Sequence, residues 1–375
     1  MQSYDNRTPS GGSVTERTVW LLIAVALNTL ELFIPRIPLL PWLKPGLANS
    51  ITILWIIRFG MTDALLYTLL RIWISSFYFG FSLITMALAL SGGISATMVT
   101  GMLWRLFGRR GLLGTLGLGV AGAAAHNAGQ LIAVYYLLTR NSVIWFQLPF
   151  MGGASLLFGG CIGGIVQVLW RILVHDHPDA VPSGNPPSLP RRPDHRFTPV
   201  NLLLLGGSAA LVFVHGFPAL LIIALAVTLL TFLIRDRNPS AFVHPLRLWP
   251  LFLFVALVYC FFSYGTRVPI FPLVTWEGLA DTARQSLRLW TWLEIGLLLQ
   301  RLQCNHLLFA ILHRLFPRHA DTLLAGLLAL EYFPEVVSYV KTREARENIV
   351  WRKPLSALAE FTERVQRHII ELLAK

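Results

Sequence analysis

Long apolar runs recur along the whole of this 375-residue chain. Three of them cover residues 19–32, 112–138 and 200–234. Each run, or each half of the last one, approaches the roughly 20 residues that an α-helix needs to cross a bilayer. Hydrophobic residues make up 55% of the sequence and charged residues only 13%, whereas a soluble domain is about one quarter charged. The sequence therefore predicts an all-α, polytopic integral membrane protein.

The apolar runs and the basic clusters between them predict a topology. We place nine or more spans, beginning with residues 19–35, 46–60, 62–80, 82–104, 112–138 and 145–172, and continuing with 200–216, 218–234 and 249–265. The basic clusters that begin at Arg7, Arg105 and Arg171 then all fall on one side, which the positive-inside rule makes cytoplasmic. This topology explains the net charge of +12 better than nucleic-acid binding does. We expect a multi-pass protein of the bacterial inner (cytoplasmic) membrane, with both termini in the cytoplasm.

Three polar segments flank or interrupt the apolar pattern. Residues 1–18 lack a cleavage-type signal, so we expect the first span to remain in the protein. Residues 175–197 are basic and rich in Pro, which predicts a cytoplasmic linker between two membrane domains. Residues 338–375 mix apolar and charged side chains in a helical pattern. This pattern predicts an amphipathic cytoplasmic helix or helical pair.

The glycine motifs indicate helix packing rather than nucleotide binding. The run Gly117-Leu-Gly-Val-Ala-Gly122 matches G-x-G-x-x-G. It lacks the preceding strand and the acidic residue about 20 positions further on that a dinucleotide site needs. Small residues at such spacing let membrane helices approach closely. Two G-x-x-x-G pairs are interpreted in the same way, Gly159 with Gly163 and Gly160 with Gly164.

Catalytic and metal chemistry are not indicated by the sequence. No P-loop is present, and the first six predicted spans contain only Glu31 and Asp63 as acidic residues. Prenyl-diphosphate chemistry normally uses several carboxylates to hold Mg²⁺. The His and Asp residues within 175–179 are interpreted as polar residues of an exposed linker. We therefore expect no catalytic residue, no metal and no directly bound cofactor.

Uncharged polar side chains gather instead in the fifth predicted span. His126 and Gln130 are four residues apart and Asn127 and Gln130 are three apart, so they share or adjoin one helix face. Taken singly, such residues fit interhelical hydrogen bonding that holds a bundle together. Taken as a set, they favour a polar cavity that binds a ligand.

Arg71 falls near the middle of the third predicted span. An ionisable group at that depth is costly and normally faces a partner or a cavity. The expected partner is Glu31, Asp63 or an anionic group of a ligand. With Asn49, Arg71 extends the predicted ligand-binding set.

Four motifs in the N-terminal half resemble a known family. They are Lys44-Pro-Gly-Leu-Ala-Asn-Ser50, Asp63-Ala-Leu-Leu followed by Arg71, Ser91-Gly-Gly-Ile-Ser95, and Gly122-Ala-Ala-Ala-His-Asn-Ala-Gly-Gln130. Over about residues 19–173 the chain resembles the Gx transporter family, also described as heptaprenyl diphosphate synthase component I. That family is similar to the S components of energy-coupling-factor importers. Those are six-helix membrane proteins that capture a vitamin-like ligand.

The C-terminal half resembles the transmembrane T component of the same importers. The resemblance lies in Glu277-Gly-Leu, Ser286-Leu-Arg-Leu289, Leu330-Glu-Tyr-Phe-Pro334 and Arg343-Glu-Ala-Arg346. In that family an Ala-Arg-Gly element of a coupling helix docks on the ATPases. The resemblance implies that Arg343, Ala345 and Arg346 serve in coupling, although Glu347 stands here in place of the Gly.

These observations predict a fused importer component. Its predicted parts are a polar N-terminus (1–18), an S-component-like domain (19–174), a linker (175–197), a T-component-like membrane domain (198–337) and a coupling tail (338–375). The ligand would contact Asn49, Arg71, His126, Asn127 and Gln130. Arg71 would pair with an anionic group, Asn127 and Gln130 would bind a polar head, and His126 would add a pH-sensitive contact.

The predicted function is uptake of a small organic solute, which is vitamin-like or a precursor of isoprenoids or quinones. The expected partners are that solute, membrane lipids and separate ABC-type ATPase subunits that use ATP, with no nucleic acid. The alternative is a membrane accessory subunit of isoprenoid, polyprenyl diphosphate or quinone biosynthesis.

Overall fold

The computed structural model describes residues 13–31, 46–78, 83–175, 199–234, 249–262, 265–301, 309, 312–342 and 354–373. The helices of the N-terminal half are α1 (Val14–Glu31), α2 (Ala48–Phe59), α3 (Met61–Tyr78), α4 (Leu83–Leu106), α5 (Thr115–Val134) and α6 (Leu148–Trp170). Those of the C-terminal half are α7 (Pro199–Ala210), α8 (Phe217–Ile234), α9 (Trp249–Phe262), α10 (Trp276–Arg301), α11 (Ala320–Lys341) and α12 (Pro354–Leu373). The all-α prediction is confirmed for these residues.

Glycines separate several of these helices. Gly60, with φ 92°, ends α2 immediately before α3 begins. Gly111, with φ 73°, turns the chain after the short 3₁₀ segment that follows α4. Backbone with positive φ is accessible to glycine without the Cβ clash that other residues meet, so the sequence itself fixes these two breaks.

One short antiparallel ribbon interrupts the helices. Strand β1 (Arg267–Val268) pairs with β2 (Phe271–Thr275), which runs directly into α10. The Glu277 carboxylate in the first turn of α10 accepts hydrogen bonds from the backbone N–H of Thr266 at 2.8 Å and from its hydroxyl at 3.1 Å. These bonds tie the ribbon to the start of the helix.

Among the residues that the structure describes, three helical stretches are long and apolar enough to cross a membrane: Leu83–Arg110, Ser142–Leu173 and Pro317–Lys341. Shorter apolar helices cover Ala48–Phe59, Phe217–Leu233 and Trp249–Phe262. Helices occupy all nine predicted spans, while the number of spans stays a prediction. The stretch Pro317–Lys341 was not among the predicted spans, because its apolar residues are mixed with charged ones.

Helices α4, α5 and α6 form a closely packed layer in the N-terminal half, and α3 packs on α4. In the C-terminal half, α10 lies between α8 and α9. Two indole N–H groups join α10 to its neighbours: Trp290 donates to the Thr228 hydroxyl and Trp292 to the Ser208 carbonyl, each at 2.9 Å.

Helix α1 packs along α11, so the first described helix lies against one near the other end of the chain. The core that contains α1 also includes the apolar face of α12. On that face Phe361, Val365 and Ile369 are at most 2% exposed, and His368 stacks on Tyr339 of α11. The predicted amphipathic tail is therefore helical over 354–373, and its apolar face is covered by the protein's own core.

Candidate functional site

One residue of the predicted ligand-binding set is a buried arginine. Arg71 in α3 is only 8% exposed, and its Nη2 donates a hydrogen bond to Asn49 Oδ1 of α2 at 3.1 Å. The Nε atom is buried and has no hydrogen-bond partner. The guanidinium also lies 5.9 Å from the centre of the Tyr67 ring. The structure thus brings together two of the predicted residues, and among the described residues the partners of the guanidinium are an amide and an aromatic ring, both uncharged.

Asp63, one of the three expected partners of Arg71, is bonded elsewhere. Its Oδ1 accepts hydrogen bonds from Arg17 Nη1 at 2.9 Å and from the Thr322 hydroxyl at 2.6 Å, and it lies 3.1 Å from His319 Nδ1. Sequence reasoning missed this cluster because it placed Arg17 in a polar N-terminal segment, whereas α1 begins at Val14. The cluster joins α1 and α3 to α11 and is a structural tie between the two halves.

His126 and Gln130 share the face of α5 that contacts α4. A Cβ added at Gly92 of α4 would lie 2.8 Å from Gln130 Cγ and 2.8 Å from His126 Cε1. The absence of a side chain at Gly92 therefore makes room for both residues. Gln130 is 7% exposed, and its Oε1 has no hydrogen-bond partner. A buried amide oxygen without a partner no longer has the hydrogen bonds that water would give it, so it is available to accept one from a ligand donor.

Asn127 points to the other neighbour of α5. Its Nδ2 donates to the Met151 carbonyl at 3.2 Å and to the Ser155 hydroxyl at 2.9 Å, both on α6. They are interhelical hydrogen bonds of the kind that such residues, taken singly, were expected to make. In this structure Asn127 holds α5 to α6, on a face different from that of His126 and Gln130.

A cavity of about 20 Å³ lies between α2, α4, α5 and α6. It is lined by Asn49, Thr52, Thr97, Thr100 and neighbouring apolar or small residues. Of the five predicted ligand-binding residues, only Asn49 lines it. This volume suffices for about one water molecule, whereas sites for drug-sized ligands enclose about 300–1,000 Å³. The polar cluster is therefore closed in this structure.

The glycine motifs act as the sequence predicted at the α5–α6 contact. A Cβ at Gly119 would lie 2.2 Å from the Gly159 carbonyl oxygen, and one at Gly163 would lie 2.5 Å from Leu116 Cα. Gly160 and Gly164 have nothing within 4 Å. The G-x-x-x-G pair that begins at Gly159 packs helices together, and the pair that begins at Gly160 does not.

No group of three or more His, Cys, Asp and Glu side chains that would hold a metal occurs among the residues that the structure describes. The predicted coupling residues Arg343, Ala345 and Arg346 lie outside the described residues, as do most of the linker 175–197 and residues 1–12 of the N-terminus.

Together, the fold and the polar cluster define a protein whose described residues are mainly helical, with membrane-length apolar helices and a buried arginine–amide cluster in its N-terminal half. Residues 21–169 match the family model described as Heptaprenyl diphosphate synthase component I. This confirms the resemblance of that segment to the family. No curated protein matches the chain, and no solved structure does.

Proposed function

We propose that this protein is a membrane-embedded uptake component for a small organic anion. It would be a fused substrate-binding and coupling component of an energy-coupling-factor-type importer, with ATP hydrolysed by separate subunits. The observation that carries the proposal is Arg71, a buried guanidinium whose partners among the described residues are uncharged and whose Nε has no hydrogen-bond partner there. Burying a charge without a counter-ion costs several kcal/mol, so such a group favours an anionic ligand.

The outer surface supports placement in a membrane. On α8, Ile222, Leu225 and Leu229 are 66%, 62% and 58% exposed, and on α6 Leu156 and Leu157 are 67% and 64% exposed. Contiguous apolar surface of this kind is rare on soluble monomers. A bilayer would cover it.

The location of the remaining polar groups supports a ligand with both an anionic and a polar part. Gln130 offers a buried acceptor from α5, and Asn49 lines the small cavity next to Arg71. A solute larger than water requires α2, α4 and α5 to separate, because the enclosed volume is only about 20 Å³. Binding in this proposal is therefore coupled to opening of the helical layer.

Mass spectrometry of the small molecules that co-purify with the protein in a mild uncharged detergent tests this function. An organic anion should be retained by the natural protein and lost in Arg71→Gln. Arg105→Gln is the matched control, because Arg105 is exposed at the end of α4. Equal retention by all three proteins would rule out Arg71 as the anion-binding group.

The description of the matched family favours a second candidate, an accessory subunit of polyprenyl diphosphate synthesis. Prenyl-diphosphate chemistry normally uses several carboxylates to hold Mg²⁺, and catalysis by this chain alone can be tested directly. Purified protein is incubated with isopentenyl and allylic diphosphates and Mg²⁺. Chain elongation without a partner would replace the uptake proposal.

Coupling to ATPases is tested separately with Arg346→Glu. The variant should lose association with ATPase subunits in a pull-down while it keeps the co-purifying anion. Unchanged association would remove the coupling part of the proposal and leave the binding part intact. The docking surface would have to lie outside the apolar face of α12, since that face is buried.

A further inference from the structure

A second cavity, of about 540 Å³, opens where the N-terminal and C-terminal halves of the chain meet. It lies where the π-helical segment that follows α5 (Tyr135–Thr139) meets the end of α9 and the first half of α10. Its ionisable lining residues are Arg140, His215, Tyr259, Asp281, Arg284 and Arg288. The volume falls in the range of about 300–1,000 Å³ that is typical of small-molecule sites.

The lining of this cavity is basic. It contains three guanidinium groups and one carboxylate, and that carboxylate is already bonded, because Arg284 Nη1 donates to Asp281 Oδ1 at 2.7 Å. The lining therefore has a net positive charge. A concave surface of one sign attracts ligands of the other.

Arg288 is the buried member of this set. It is 6% exposed and projects from α10. Its Nη1 donates to Gln285 Oε1 at 3.2 Å, and its Nη2 donates to the Val214 carbonyl and lies 3.4 Å from His215 Nδ1. Its Nε is buried and has no hydrogen-bond partner. Within the described part of the chain, the contacts of this cation are thus a backbone carbonyl, an amide and an imidazole, with no carboxylate.

A chain of hydrogen bonds fixes the orientation of Arg288. Gln285, which accepts from Arg288, donates through Nε2 to Tyr259 Oη at 3.2 Å. The Tyr259 hydroxyl in turn donates to the Thr139 carbonyl. The guanidinium is therefore held in place before any ligand arrives, which lowers the entropy cost of binding.

Arg140 adds a second cation at the rim. Its backbone has φ 46°, which is uncommon for a residue other than glycine and ends the helical segment. The next residue, Asn141, donates from Nδ2 to the Phe262 carbonyl at 3.2 Å and so joins this turn to α9. The turn places an exposed arginine in the lining of the same cavity as the buried one.

We propose that this cavity is an oxyanion-binding site that takes the phosphate or carboxylate group of a small molecule or of a lipid headgroup through Arg288 and Arg140. Guanidinium groups suit such groups because their planar N–H donors match two oxygens at once. The site shares no lining residue with the cavity beside the Arg71 cluster. It does not depend on the proposed uptake function.

Isothermal titration of the full-length protein in an uncharged detergent tests the site for soluble anions. The probes are inorganic phosphate and citrate. Arg140→Gln and Arg288→Gln should each weaken binding of the responding probe by about tenfold or more, because each removes a charged donor. Arg267→Gln is the control, since Arg267 is an exposed arginine of strand β1 that does not line the cavity. The Arg267→Gln variant should bind the responding probe as tightly as the natural protein does.

Native mass spectrometry tests the lipid source. The protein is reconstituted in nanodiscs of phosphatidylcholine with and without phosphatidylglycerol, and retained lipid is counted. Retention of phosphatidylglycerol that is lost in Arg140→Gln but kept in Arg267→Gln would assign the site to a headgroup. Phosphate or citrate binding with the same mutational pattern would assign it to a soluble anion.

The proposal is overturned if neither anion nor anionic lipid binds, or if Arg140→Gln and Arg267→Gln behave alike in both measurements. Arg288→Gln removes a buried residue, so its melting temperature is compared with that of the natural protein. If Arg288→Gln does not fold, the exposed Arg140→Gln decides the outcome.

Discussion

The contact between α5 and α6 gives the sharpest test of the packing. A Cβ at Gly159 would lie 2.5 Å from Val120 Cα and 2.7 Å from the Gly119 carbonyl oxygen. Nonbonded carbon atoms prefer about 3.5–4.0 Å, so Gly159→Ala must push the helices apart by about 1 Å. Both obstacles are backbone atoms, which cannot turn away as a flexible side chain can. We expect Gly159→Ala to disrupt the layer.

Gly160→Ala is the matched control for this change. It lies one position further along the same helix and has nothing within 4 Å of its added Cβ. Both variants gain the same helix propensity, about 1 kcal/mol in favour of Ala, so this term cancels in their difference. What remains is overpacking, which costs about 1–3 kcal/mol. Gly159→Ala should therefore be less stable than Gly160→Ala by that amount.

Thermal unfolding in a mild detergent, followed by circular dichroism, measures this difference. The natural protein and Gly160→Ala should melt at similar temperatures or with the variant slightly higher, and Gly159→Ala should melt clearly lower. If the two variants are equal in stability within about 0.5 kcal/mol, which is the usual effect of an unconstrained surface change, the close approach of α5 and α6 is wrong.

Two further changes test other parts of the structure. Asp63→Ala removes the acceptor that Arg17 and Thr322 share and should cost about 3 kcal/mol of unfolding free energy, because removing one partner of a buried ion pair is strongly destabilising. A melting temperature like that of the natural protein would contradict this tie. Hydrogen bonds from its own backbone N–H and from Thr266 lower the pKa of the Glu277 carboxyl in the folded protein. The ionised carboxylate therefore stabilises the fold at pH values above the pKa that Glu277 has in the unfolded chain. This stabilisation is lost as the pH falls through the lower, folded pKa. Hydrogen exchange at the Thr266 amide, corrected for intrinsic rates, should become faster as the pH falls through the folded pKa of Glu277. In Glu277→Gln the corrected exchange rate should no longer depend on pH in this range. An exchange rate that changes neither with pH nor with the substitution would contradict the hydrogen bond.

Much of the helical architecture could be predicted from the sequence, because the period and length of apolar runs reflect burial directly. The i, i+4 spacing correctly placed His126 and Gln130 on one face, where Gly92 now accommodates them. The spacing could not show that Asn127 bonds to α6, because this contact depends on which helices pack on either side of α5. Similarly, nothing local distinguishes Gly159 from Gly160, since the two overlapping motifs differ only in which one faces a neighbour.

Contacts between distant segments were beyond sequence reasoning. The bond between Arg17 and Thr322 joins residues 305 positions apart. Arg288 was visible as a charge among Leu and Trp residues, but the cavity around it needs α5, α9 and α10 together. A single sequence contains local periodicity and no record of such pairings.

The packing of α1 against α11 has a consequence for how the protein is made. Synthesis proceeds at about 5–20 residues per second, so the 305 residues between Arg17 and Thr322 take roughly 15–60 s to appear. Throughout that interval the first helix has been made but lacks the surface that will cover it. The buried contacts of Arg17 and Asp63 with Thr322 can therefore form only after α11 has been synthesised. Until then, a chaperone or another protein would have to cover the exposed face of α1.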